Sequence, residues 1–144
     1  MTIATVRAAF QTFLGSVTGI VSAPARMPAS INTADLPIAL THAGPGRWMQ
    51  GSIGQKQQIR NMIVNVYVQP VAQNVPVEQG YAACEPILEA IGDALLDDPT
   101  LSDVVSTLQV QENEMTDGGI VVLVYGDVPY HGVQLTIPTK WRYS

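Results

Sequence analysis

Ile3, Val6, Phe10, Phe13 and Val17 recur at three- and four-residue intervals and predict an amphipathic helix, which Thr2 caps and Gly15 or Gly19 ends. Pro24, Pro28, Pro37 and Pro45 then break up residues 20–47, so the pattern predicts an irregular arm with only a short extended piece, Ile38–Thr41. Glycines at 44, 46, 51 and 54 make residues 43–58 read as a mobile hairpin tip. From Ile59 to Gln69 the chain alternates, with Met62, Val64, Val66 and Val68 toward one side and Asn61, Ile63, Asn65, Tyr67 and Gln69 toward the other. A half-buried strand that stops at Pro70 has this signature.

Tyr81, Cys84, Leu88, Ile91 and Leu95 restore the helical spacing up to Asp98-Pro99. Pro86 falls inside that stretch, and the apolar stripe running back to Tyr81 favours a kink there over a later helix start. Leu108 and Val110 alternate with polar neighbours toward Asp117-Gly118-Gly119, which reads as a hairpin turn. Ile120–Tyr125 is apolar on both faces and reads as a central strand. After a turn around Gly126-Asp127, Val133, Leu135, Ile137, Thr139 and Trp141 share one face, and Pro138 puts this last strand at an edge, at least locally.

The order predicts an α+β fold, an α/β sandwich: an antiparallel or mixed sheet with two main helices packed on one face, plus a Gly-rich hairpin or arm. The 144 residues suit a single domain, 1–144. Charged residues make up only 13% against 47% hydrophobic, which leaves little solvated surface and suggests that a partner covers some of it. Cys84 is the only cysteine, so the chain has no intrachain disulfide framework and no thiol cluster for zinc, and folding in a reducing compartment is the simpler reading. The amino-terminal stretch fits neither a signal peptide nor a membrane span, which points to a soluble protein.

Charge changes the picture more by its distribution than by its net value of −5. Residues 1–60 hold Arg7, Arg26, Arg47, Lys56 and Arg60 against Asp35 alone, whereas residues 61–127 hold acids and no lysine or arginine. A chain that separates its signs has a strong internal dipole or two complementary faces. Glu85, Glu89 and Asp93 follow one another four apart on a flank of the second helix, which reads equally as a solvated face or as a contact with the basic arm of another copy, whose cations would relieve the repulsion between like charges.

Those acids predict no catalytic pair, because a proton donor needs an apolar pocket around its carboxyl and these lie on a polar flank. Calcium would need alternating oxygen ligands around a glycine turn, which residues 97–103 lack. His42 and His131 belong to no metal motif, no nucleophile elbow occurs, and Gly51–Lys56 is too short for a phosphate loop. No catalytic, cofactor-binding or metal residue is therefore expected, and no enzymatic activity. Arg47, Trp48, Lys56 and Arg60 combine basic and aromatic groups that could meet a nucleic-acid backbone, or equally the acidic helix of a neighbouring copy.

An amino-terminal helix, Asp35-Leu36-Pro37 before a short strand, a long strand ending Tyr67-Val68, the segment Leu95–Leu101 closing a helix, and Tyr130-His131-Gly132-Val133 starting the last strand occur in an order that resembles bacteriophage tail terminator proteins. The resemblance implies a virion protein of the head–tail interface, assembled in the host cytoplasm, whose protomers form a homo-oligomeric ring of six copies at the head-proximal end of the tail tube. Such a ring halts tube polymerisation, meets the tail tube protein on one side and a head-completion or neck protein on the other, and lets DNA pass through its lumen without sequence-specific binding. It implies no membrane contact. Pro86 and the proline-rich stretch 24–45 fit no firm family pattern, which keeps open another neck or tail-completion component, or a DNA-contacting module. On the ring reading, Arg47, Lys56 and Arg60 of one copy approach Glu85, Glu89 and Asp93 of the next.

Overall fold

The computed structural model describes residues 1–50, 54–72, 75–101, 104–105 and 115–143. Helix α1 spans Ile3–Gly15, with the Thr2 hydroxyl accepting from the Thr5 amide at its start. Strand β1 spans Ile38–Gln50, β2 Lys56–Pro70, α2 Val77–Asp97, β3 Thr116–Tyr125 and β4 Val128–Tyr143. The four strands form one antiparallel sheet in the order β1-β2-β4-β3. The fold is α+β, as the hydrophobic pattern predicts.

Both helices lie on the same side of the sheet. Val6, Phe10 and Leu14 of α1 and Cys84, Ile87, Ile91 and Leu95 of α2 join Met62, Val64, Val66, Val133, Leu135, Ile137 and Trp141 in a single apolar core. Each fully buried side chain there contributes roughly 1.5–3 kcal/mol. Gln11, which interrupts the apolar run in the sequence, is itself buried and straps the layers together: its Nε2 donates to the Pro24 carbonyl at 2.7 Å and the Ala39 carbonyl at 2.9 Å.

On the opposite side of the sheet the described residues form a second cluster at one end. There Ile31 and Leu36 of the arm pack on Ile38, Leu40, Tyr67 and Tyr130. Tyr67 meets Tyr125 and Tyr130 edge-on at 5.4 and 5.7 Å, and the Tyr125 hydroxyl donates to the Pro28 carbonyl. The arm is thus irregular but fastened. It also bonds to the start of β1, where the Val21 amide donates to the Pro37 carbonyl and the Ala39 amide to the Ser22 carbonyl.

Four expectations need correction. Residues 43–50 and 56–58 are strand, so the hairpin tip is far shorter than the glycines suggest. A register shift between Ala43 and Gly46 absorbs Pro45, and added side chains at Gly44 and Gly46 would crowd Ile63 Cδ1 and Arg60 Cβ, each at 2.8 Å. Asp117-Gly118-Gly119 is a bulge within β3, where Gly119 has φ +72 and the Asp117 carboxylate accepts its amide at 2.9 Å. The strand expected over residues 107–111 lies outside the described residues.

Among the described residues strand β3 is an edge rather than a centre, paired with β4 alone, and Val122 and Val124 are 58% and 64% exposed. Strand β4 takes the inner position instead. Its pairing with β3 ends at Thr116 opposite Thr136, so beyond that point Pro138 has a partner strand only on the β2 side among the described residues. The local edge that proline demands is therefore present. Gly126 and Asp127, at φ 56 and 64, form the two-residue turn between these strands, in the backbone hand that suits strand twist.

Helix α2 runs through Pro86. The ring sits on the exposed side, beside the exposed Ala82 whose carbonyl loses its partner, and water can satisfy that carbonyl there. The buried stripe is Gly80, Cys84, Ile87, Ile91 and Leu95; Tyr81 is 45% exposed and Leu88 only half-buried. Ile91→Ala is expected to cost roughly 2–5 kcal/mol and Leu88→Ala about 1 kcal/mol in urea unfolding. Equal costs would mean that α2 is rotated from this placement.

Candidate functional site

Glu85, Glu89 and Asp93 are all exposed on the outer flank of α2, as their spacing predicts. Glu78 and Asp97 lie on the same helix, which has no basic residue. Neither Glu85, Glu89 nor Asp93 forms an ion pair among the described residues. Asp103, the last acid of the run, lies outside them.

The early cations occupy different sides of the β1–β2 hairpin. Arg47 is exposed on the sheet face turned away from the helices, opposite Ile59, while Lys56 opens β2 opposite Gln50 and Tyr143. Arg60 faces the helix side and is half-buried. Its Nε donates to Gln58 Oε1 at 2.9 Å and its guanidinium donates to the Gly44 carbonyl at 3.0 Å. The same guanidinium sits 6.0 Å from the centre of the Trp48 ring, a cation–π distance. Arg60 is a strut that fixes the bulge of β1, and its charge is already engaged within the chain.

Sequence reasoning gave Lys140 and Arg142 no role. The register places Lys140 opposite Ile59, itself opposite Arg47, and Arg142 opposite Gln57, itself opposite Met49. Arg47, Lys140 and Arg142 thereby gather on one face from three strands. The alternation of β4 contained the signal, since these two cations fall out of phase with the buried Val133–Trp141 series, but the pairing that unites them with Arg47 is long-range.

A groove of about 600 Å³ runs between α2 and β3, lined by Leu88, Gly92, Leu96, Met115 and Leu135, with Glu89 and Asp117 at its edge. It brings together no base and nucleophile, and no group of three or more His, Cys, Asp or Glu side chains that could hold a metal occurs among the described residues. Cys84 is buried in the core, where desolvation pushes its thiol up to about 11, so it stays protonated and unreactive at neutral pH. Burial also raises the Tyr67 hydroxyl, helped by Tyr125 and opposed by a hydrogen bond with Asn65. His131 is buried against Gly80, so close that a methyl group on Gly80 would lie 2.5 Å from its ring. This packing makes it a spacer between α2 and β4.

No protein-family model and no curated protein matches the chain. No helix among the described residues is long and apolar enough to cross a membrane.

Proposed function

We propose that the chain is a structural subunit of a bacteriophage tail, a terminator that closes into a ring of six at the head-proximal end of the tail tube. It would stop tube growth and present the surface on which a head-completion or neck protein docks. One observation supports this most: the short stretches in which the chain resembles tail terminators fall in order, three of them beside the ends of elements. Asp35-Leu36-Pro37 leads directly into β1, Tyr67-Val68 lies at the end of β2, Leu95–Leu101 closes α2, and Tyr130–Val133 lies in the first half of β4.

The reading assigns no reaction. Native mass spectrometry with negative-stain imaging tests it. Six-copy rings that cap purified tail tubes and halt their extension are the expected result. A monomer that binds duplex DNA with a steep salt dependence would replace this reading with a DNA-contacting module, and rings that bind the neck but leave tube length unchanged would make the chain a neck component.

A further inference from the structure

Part of the charge separation seen along the sequence becomes a separation between layers, although Arg7, Lys56 and Arg60 stay on the helix side. Among the described strand residues, the charged side chains on the face turned away from the helices are Arg47, Lys140 and Arg142, all positive. Helix α2, on the other side of the molecule, contributes Glu78, Glu85, Glu89, Asp93 and Asp97 and no cation. Arg47 and Arg142 are exposed, Lys140 is partly so, and none of the three forms an ion pair among the described residues. Arg47 and Lys140 flank Ile59 in one cross-strand row, with Met49, Gln57 and Arg142 in the other.

The spacings of the two surfaces match. Lys140 and Arg142 stand two residues apart on β4, about 7 Å along the strand. Glu85, Glu89 and Asp93 stand four residues apart on α2, about 6 Å along the helix. The difference is well within the reach of lysine and arginine side chains. A helix laid along β4 would bring successive acids onto successive cations, with Met49, 40% exposed, two strands away in the row of Arg142.

We propose that this basic sheet face docks the acidic flank of α2 from a second copy of the chain, head to tail. The two surfaces are different and lie on opposite sides of one protomer, so the contact is heterologous and repeats from copy to copy. This rests on the ring reading and refines it. Lys140 and Arg142 take the part that the sequence suggests for Arg60, whose guanidinium is spent on Gln58 and Gly44. Charge fixes direction and register here, while apolar burial supplies most of the affinity.

The test uses the full chain. Equal amounts of unlabelled and 15N-labelled protein are treated with a carbodiimide, which joins a lysine amine to a carboxylate, and cross-linked peptides are identified by mass. Mixed-isotope links from Lys140 to Glu85 or Glu89 are expected. In sedimentation velocity, Lys140→Glu/Arg142→Glu and Glu85→Lys/Glu89→Lys should each weaken association about tenfold or more, and the four changes together should restore it. Lys56→Glu, on the other face, should have little effect. Persistent rings with no loss in either reversal, or with links only from Lys56, would overturn the docking surface and leave the ring standing. A chain that stays monomeric at every concentration and gives no mixed-isotope link would overturn both. Reversals that abolish DNA binding without altering association would assign the basic face to nucleic acid instead.

Discussion

Replacing Gly132 with valine is expected to cost about 4 kcal/mol or more of stability, enough to leave little folded protein at 25 °C. Gly132 lies in the middle of the sheet, opposite Tyr67 on β2 and Val121 on β3. A Cβ there would overlap the Val66 carbonyl oxygen and come within 3.0 Å of Leu123 Cδ1. The register shift in β2 between Tyr67 and Gln69 lies beside this close approach. Neither neighbour can retreat, because Val66 is fully buried and Leu123 packs against the tyrosine cluster. Gly126→Ala is the internal control. Gly126 has φ 56 and is exposed, so only the left-handed backbone penalty of about 1–2 kcal/mol applies. Urea titrations that rank the two substitutions alike would show that β2 and β4 do not approach at Gly132.

The same glycine shows what a sequence can and cannot reveal. Local periodicity made α1, most of β2, the Gly126-Asp127 turn and the buried phase of β4 legible, since each is set by neighbours within about seven residues. Strand order was not legible. Ile120–Tyr125 is apolar throughout, as a central strand would be, but Leu123 and Tyr125 use their apolar surface against the arm's cluster while Val122 and Val124 stay exposed. Glycine content misled at residues 43–58 for a related reason. Gly44 and Gly46 serve the close approach of β1 to β2 at a bulge, and in sequence a bulge looks like a loop.

The candidate site divided in the same way. The acids of α2 were legible because their four-residue spacing already puts them on one flank. The cations were not, because which of them share a face depends on a bulge in β1 and on the pairing of β4 across β2. Arg60 looked like Arg47 in the sequence. Only the fold separates them, turning one toward Gln58, Gly44 and Trp48 and leaving the other exposed.

Trp141→Ala should cost roughly 3–5 kcal/mol, whereas Trp141→Phe should cost only about 1 kcal/mol. Trp141 is the largest fully buried side chain and belongs to the core that the sheet shares with both helices. Removing it leaves a cavity in a fully buried part of the core. Phenylalanine keeps most of the ring volume and deletes the indole N–H, which has no acceptor. The amide of Gln58, its cross-strand partner, also lacks an acceptor at Nε2, because Gln58 Oε1 is turned to Arg60. An unpartnered buried donor costs about 1–3 kcal/mol, so its loss offsets much of the lost packing. Both donors are tolerated because this corner of the core serves the hairpin: Gln58 holds Arg60, and Arg60 holds the β1 bulge that sets where Arg47 stands. Trp141→Phe should therefore leave association between copies unchanged, and Gln58→Leu should weaken it by releasing Arg60. Denaturant titration and sedimentation of the three variants check this; a phenylalanine as costly as alanine would mean that the indole N–H is satisfied after all.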